Sequence, residues 1–82
     1  MKAKQPVTTE DEFVDATGLR CPEPLMVTRN RMMDMASGQV IKIVATDPST
    51  RWDFANFCKF LNHEMLAEEQ EGETYTYWIR KG

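Results

Sequence analysis

The feature that most constrains the fold is an apolar, β-branched run from Val40 to Thr46, in the middle of an 82-residue chain. Only Lys42 interrupts it, and such a run is typical of a strand in the interior of a sheet. We expect Ile41, Ile43 and Ala45 to face the core, because alternate residues of a strand share one face. The run therefore predicts a central strand around which the other elements are arranged.

Two proline-led helix starts and one glycine turn divide the rest of the chain. Pro22 and Pro48 each fit the first position of a helix, where no N–H donor is needed. Gly72 tolerates the positive φ of a tight hairpin turn. The predicted elements are a strand at Glu12–Ala16, a helix from Pro22 to about Ala36, a helix from Pro48 to about Met65 with Asp47 as its N-cap, and a hairpin of Ala67–Gln70 with Thr74–Arg80.

The order β-α-β-α-β-β predicts an α/β fold of the two-layer sandwich type. Strands that alternate with helices favour parallel pairing, and the closing hairpin makes the four-stranded sheet mixed. Right-handed crossovers place both helices on one face of the sheet. We expect residues 11–82 to form this single domain, and residues 1–10 to be a flexible polar tail.

The second helix has a clear apolar stripe at i, i+3, i+4 and i+7 spacing. Its members are Phe54, Phe57, Cys58, Leu61 and Met65. Because Cys58 lies within the stripe, we expect it to pack in the core and to have no chemical role.

Composition narrows the functional class. A net charge of −3 argues against tight nucleic-acid binding by the chain itself, because phosphate contacts supply most of such affinity. The polar first ten residues resemble neither a signal peptide nor a membrane span, so we expect a cytoplasmic protein with no membrane partner. Two cysteines and one histidine cannot complete a four-ligand zinc site. We expect no metal and no cofactor.

Thiol chemistry is predicted at Cys21. Pro22 makes this cysteine an expected helix N-cap, with free N–H groups and the positive end of the helix dipole directed at its sulfur. Arg20 adds a positive charge, and Gly18 permits a sharp turn that leaves the sulfur uncovered. These features predict a depressed thiol pKa and a nucleophilic thiolate, supported by Arg20, Gly18 and Pro22. The alternative is a cysteine that only packs at the start of a helix.

Two helix faces are candidates for partner binding. Glu23, Met26 and Arg29 follow the cysteine at i+3 steps and form a mixed patch beside it. With Asp47 and Phe60 they make up the predicted partner surface. The outer face of the second helix carries two large aromatic residues on a side expected to be exposed. Its members are Trp52, Asn56, Lys59, Phe60 and His63. We expect His63 to be structural or on the surface.

The chain resembles the TusA family of small sulfur-carrier proteins, also called SirA-like. The resemblance covers nearly everything after the first ten residues. It rests on four blocks in order: Asp15-Ala16-Thr17-Gly18-Leu19-Arg20-Cys21-Pro22-Glu23-Pro24, Asp47-Pro48, Phe57-Cys58-Lys59-Phe60-Leu61-Asn62-His63-Glu64 and Tyr77-Trp78-Ile79-Arg80-Lys81. It departs from the family's pattern at the aromatic-rich Arg51-Trp52-Asp53-Phe54.

The resemblance implies a fold like the C-terminal domain of translation initiation factor three. It also implies that Cys21 accepts sulfane sulfur as a persulfide from a cysteine desulfurase and passes it to a downstream relay complex. That relay ends in 2-thiolation of the wobble uridine of certain tRNAs. The free carrier is expected to be a monomer. Glu23 and the Phe-Cys-x-Phe block are closer to this branch than to the selenium-linked or sulfur-oxidation branches.

Other functions remain open from the residues alone. A thiol peroxidase or another redox enzyme would need a resolving cysteine, so the accessibility of Cys58 discriminates that class. A protein-interaction or regulatory module in sulfur or redox metabolism would keep its function without Cys21. An RNA-binding domain is suggested by fold analogy alone, and the acidic charge opposes it.

Overall fold

The computed structural model describes residues 10–82, so the predicted tail lies outside the described residues except for Glu10. The chain forms four strands and two helices in the predicted order β-α-β-α-β-β. The elements are β1 (Glu12–Ala16), α1 (Glu23–Met32), β2 (Val40–Ala45), α2 (Thr50–Leu61), β3 (Glu64–Glu71) and β4 (Thr74–Arg80).

The four strands form one mixed sheet with the spatial order β1-β2-β4-β3. β1 pairs with β2 in parallel, and β4 pairs with both β2 and β3 in antiparallel fashion. The run that begins at Val40 is therefore an interior strand, as predicted. One buried cluster contains residues of both helices and of one face of the sheet, so both helices cover the same face. The predicted two-layer α/β sandwich is confirmed.

The core lies between the helices and the sheet. Ile41, Ile43 and Ala45 are fully buried on the helix-covered face, as the alternation in β2 predicts. Phe54 of α2 packs on Tyr77 of β4, with ring centroids 4.9 Å apart. This aromatic contact fixes α2 against the sheet and so determines where the first turn of α2 lies.

Neither of the two helices within residues 10–82 covers the second face of the sheet, yet Trp78 is buried there. Trp78 is only 5% exposed and packs with Val40. The Lys42 ammonium lies 5.5 Å from the centroid of the Trp78 ring and 6.0 Å from that of Phe13. The aliphatic stem and the charge of one lysine thus help to cover this face.

Both helices are shorter than predicted. α1 begins at Glu23 and ends at Met32, whereas the sequence predicted a helix to about Ala36. Pro22 occupies the N-cap position, so the helix starts one residue later than expected. Cys21 is therefore not the N-cap, and this prediction is wrong.

The end of α2 also differs from the prediction. The helix ends at Leu61 because Asn62 adopts a left-handed conformation, with φ of 59°. Asn is among the few residues that tolerate this conformation. Met65, which continues the helical spacing of the apolar stripe, belongs instead to β3 and still contacts the core.

Within residues 10–82, neither helix combines the length and the hydropathy that a membrane-spanning helix requires.

We expect Phe54→Ala to lower the free energy of unfolding by about 3–5 kcal/mol, because it leaves a cavity in the core. Phe60, in the same helix, is 77% exposed, so Phe60→Ala serves as the matched control and should change stability by less than about 0.5 kcal/mol. Urea denaturation of both variants measures the difference. Equal destabilisation by the two substitutions would contradict the described orientation of α2.

Candidate functional site

The site lies where the chain leaves the two parallel strands and enters the two helices. The loop after β1 contains Cys21, and the loop after β2 contains Asp47. The Gly18 N–H donates to the Thr46 hydroxyl oxygen at 2.9 Å, and the Cys21 N–H donates to Asp47 Oδ2 at 2.6 Å. These two hydrogen bonds join the loops and fix the backbone that carries the thiol.

Asp47 connects the loops with both of its carboxylate oxygens. While Oδ2 accepts from Cys21, Oδ1 accepts from the Ser49 N–H at 3.0 Å and from the Ser49 hydroxyl at 2.9 Å. The hydrogen bond from the Cys21 N–H is the largest cause of a lowered pKa at Asp47, and Arg20 adds a favourable charge interaction. Asp47 is therefore ionised at neutral pH and organises the site.

The Cys21 thiol is exposed and donates a hydrogen bond to a carboxylate on α2. Its Sγ lies 3.0 Å from Asp53 Oδ2. This hydrogen bond is the largest cause of a raised Cys21 pKa, and the negative charges of Asp53 and Asp47 act in the same direction. The Ser49 side chain acts in the opposite direction and lowers the pKa of Cys21. The free thiol is thus held in its protonated form.

The predicted depressed pKa of Cys21 is wrong for this resting arrangement. The prediction considered only the helix terminus and Arg20. In the structure, the carboxylates of Asp47 in the loop after β2 and Asp53 in α2 raise the pKa of the thiol. Arg20 instead contributes to lowering the pKa of Asp47. The raised pKa of Cys21 arises from tertiary structure, because Asp47 and Asp53 lie 26 and 32 residues away from it along the chain.

The other predicted supporting residues surround the thiol without contacting the sulfur by a hydrogen bond. Gly18 has a φ of 83°, in the left-handed region that glycine adopts readily. With Arg20 and Asp47 it lines an open depression of about 480 Å³ between the two loops. The site is therefore accessible from one side to an incoming chain or loop.

Cys58 is buried, whereas Cys21 is exposed. It is 6% exposed within the core cluster, and burial raises its pKa to about 11. Its position in the apolar stripe of α2 was predicted correctly, as was its burial.

His63 lies just beyond the C-terminal end of α2, whereas Asp53 lies in its first turn. The His63 Nδ1 accepts from the Gly82 N–H at 3.1 Å, and its ring lies 5.1 Å from that of Phe57. Burial, assisted by the Lys81 charge, lowers its pKa. Through these contacts His63 packs on α2 and holds the C-terminal Gly82 by a hydrogen bond.

Four of the five predicted partner residues are exposed on the helices. Glu23, Met26 and Arg29 project from α1, and Phe60 projects from α2. Asp47 differs from them, because its carboxylate is already engaged with Cys21 and Ser49. The structure thus separates Asp47, which shapes the site, from the four exposed side chains.

No group of three or more histidine, cysteine, aspartate or glutamate side chains with the arrangement of a metal site occurs in residues 10–82.

Comparison with known proteins identifies the family. A family model described as Sulfurtransferase TusA matches residues 12–81. The chain belongs to the TusA family.

Curated relatives named Sulfur carrier protein TusA resemble the chain over most of its length. The protein from Pseudomonas paraeruginosa is 54% identical over 71 residues, which cover 87% of this chain and 90% of the relative. That from Pseudomonas putida strain W619 is 52% identical over 73 residues, covering 89% and 91%. That from Pseudomonas entomophila is 54% identical over 71 residues, covering 87% and 89%. The predicted TusA-like resemblance is confirmed.

Sequence reasoning missed two residues of this TusA-family site, Ser49 and Asp53. Both stand at the start of a helix, where serine and aspartate are common because they satisfy or complement the free N–H groups. Neither therefore stood out from ordinary helix-start residues. The only signal was the parallel pairing of β1 and β2, which brings the ends of both strands to one edge of the sheet.

We expect iodoacetamide to alkylate Cys21 in the folded protein and Cys58 only after unfolding. The Cys21 rate should rise with pH to a midpoint above that of an unperturbed cysteine, because the thiolate is the reacting form and its pKa is raised. Peptide mass mapping after timed alkylation follows both residues in one sample. Fast Cys21 alkylation with a midpoint near or below neutral pH would contradict the described Asp53 contact.

Proposed function

We propose that this chain is a sulfur carrier that accepts sulfane sulfur as a persulfide on Cys21. The donor is a cysteine desulfurase, and the acceptor is a downstream relay complex whose product is the 2-thiolated wobble uridine of tRNA. The observation that carries the proposal is an exposed thiol on a fixed loop of a TusA-family domain, next to an open depression.

The reaction balances with one protein thiol on each side. The donor persulfide, donor–S–S–H, reacts with Cys21–S–H to give Cys21–S–S–H and donor–S–H. A bond forms between Cys21 Sγ and the sulfane sulfur, and the donor S–S bond breaks. Its electron pair stays on the donor sulfur, which takes up a proton. No net oxidation occurs, so neither a second cysteine nor a metal is required.

The exposure of the two cysteines favours a carrier over a redox enzyme. A disulfide-based cycle needs a second thiol that can reach the first, but Cys58 is buried in the core and has a raised pKa. An exposed sulfur suits a protein that must insert its cargo into another protein's pocket.

We place this activity in the cytoplasm, with a monomeric carrier and no membrane partner.

The proposal is tested by intact-mass spectrometry after incubation with a cysteine desulfurase and L-cysteine. We expect the wild type to gain one sulfur that a reductant removes. Cys21→Ser should abolish the gain, and Cys58→Ser is the matched control that should retain it.

No gain in the wild type, with an active desulfurase, would favour the interaction or regulatory module instead. A gain lost only in Cys58→Ser would show that the wrong cysteine has been assigned.

We further expect the exposed helix residues to contribute to partner binding. Arg29→Glu and Phe60→Ala should each slow sulfur uptake from the desulfurase by about tenfold at limiting carrier concentration, the effect of losing one interface residue worth about 1.4 kcal/mol. Phe13→Ala is the control, because Phe13 is 46% exposed on the opposite face of the sheet. Unchanged uptake in both helix variants would remove this surface from the proposal.

A further inference from the structure

In the absence of cargo, the Cys21 thiol donates a hydrogen bond to a carboxylate. A carboxylate is an unexpected neighbour for a nucleophilic sulfur, because it disfavours the thiolate. The Cys21 thiol donates to Asp53 Oδ2 at 3.0 Å, and Asp47 lies on the backbone side of the same residue. Within residues 10–82, the ion pairs are Arg31–Glu12 and Arg80–Glu64, so neither Asp47 nor Asp53 is paired with a cation there. Two carboxylates without ion-pair partners thus flank an exposed thiol.

This arrangement opposes the first step of sulfur transfer. The attacking species is the thiolate, and its formation next to a carboxylate is unfavourable because like charges repel. The groups that act on the sulfur come from two segments: Asp47 and Ser49 from the loop after β2, and Asp53 from α2. Arg20, from the thiol's own loop, acts on Asp47. Of these, Asp53 has the largest effect on the thiol.

We propose that Asp53 is a positioning residue that holds the empty carrier as a neutral thiol, and that a cationic side chain of the sulfur donor releases the thiol by pairing with Asp53. The inference rests on the proposed function for the nature of the donor. It assigns to the partner a lysine or arginine that pairs with Asp53, a contact that neither nearby arginine, Arg20 or Arg51, makes within residues 10–82.

The proton follows a simple route in this scheme. When the partner's cation neutralises Asp53, the Sγ–H proton of the exposed Cys21 passes to solvent water, and the thiolate attacks the sulfane sulfur of the donor persulfide. The departing donor thiolate takes up one proton, so the overall proton count is unchanged. Once the sulfane sulfur is attached, Sγ has no proton, and the hydrogen bond to Asp53 Oδ2 no longer exists.

The consequence for the carrier is selectivity. A permanently ionised, exposed cysteine reacts with small oxidants and electrophiles. A thiol that ionises only beside the correct donor is protected between transfers, although it remains at the surface.

The test compares Asp53→Asn with Asp34→Asn. Both remove one negative charge from an exposed or half-exposed position, but Asp34 lies in the turn after α1 and does not contact the thiol. Iodoacetamide alkylation of Cys21 is measured against pH by peptide mass mapping. We expect Asp53→Asn to move the midpoint to lower pH by about one unit, which raises the thiolate fraction at pH 7 about tenfold and the alkylation rate about threefold.

The rate at high pH separates this role from a structural one. Because a thiolate of lower pKa is only slightly less nucleophilic, the limiting alkylation rate of Asp53→Asn should stay within about threefold of that of the wild type. Asp53→Glu, which keeps the charge, should restore most of the wild-type midpoint. An identical midpoint in Asp53→Asn and Asp34→Asn would overturn the proposal.

A second measurement tests the cation of the donor. Sulfur loading of Cys21 is followed with glutathione persulfide, which brings no protein surface, and with a cysteine desulfurase plus L-cysteine. Asp53→Asn should accelerate loading by the small donor and fail to accelerate loading by the desulfurase. The ratio of desulfurase to small-donor rates should therefore fall about threefold, a coupling of about 0.7 kcal/mol.

If Asp53→Asn left the ratio of desulfurase to small-donor rates unchanged, the proposal that a cation of the donor pairs with Asp53 would be overturned. A wild type that the desulfurase does not load, despite a shifted midpoint in Asp53→Asn, would contradict the proposed function and the donor's part of the inference. The role of Asp53 in holding the thiol would then still be supported.

Discussion

The site depends on one carboxylate that connects two loops. Asp47 accepts hydrogen bonds from the Cys21 N–H with one oxygen and from Ser49 with the other, and so joins the start of α1 to the start of α2. Hydrogen bonds to an ionised carboxylate are stronger than those between neutral groups. Because two of the donors to Asp47 are the backbone N–H groups of Cys21 and Ser49, these bonds restrict the backbone of both loops. Together with the Gly18–Thr46 hydrogen bond, this link holds the loop of Cys21 beside the start of α2, where Asp53 Oδ2 lies 3.0 Å from the Cys21 sulfur.

The fold explains why a small domain can hold such a site at its surface. The parallel pair β1–β2 brings both loop starts to one edge of the sheet, and the packing of Phe54 on Tyr77 anchors α2 just after Asp53. The rigid elements therefore set the positions of the thiol and the carboxylates, while the sulfur stays exposed. This combination fits a carrier, which must present its sulfur to partners and remain unreactive between them.

The sequence was sufficient for the elements and the cysteine but not for the thiol's environment. The β2 alternation predicted which residues are buried, and the local pattern predicted an exposed cysteine at Cys21. The role of Cys21 in sulfur transfer stays a prediction. The spacing from Leu61 to Met65 fits either a continued helix or a new strand, and only the left-handed Asn62 decides between them. The raised pKa of Cys21 depends on Asp53, 32 residues away, and no local pattern encodes that proximity.

The most direct test of the account is an NMR titration of the protein with ¹³C-labelled cysteine Cβ atoms. The Cβ shift reports whether each sulfur carries a proton, and buried Cys58 serves as an internal control. The account predicts that Cys21 remains a thiol through neutral pH and ionises above the range of an unperturbed cysteine, with an earlier transition in Asp53→Asn. A Cys21 that is already ionised at neutral pH in the wild type would contradict it.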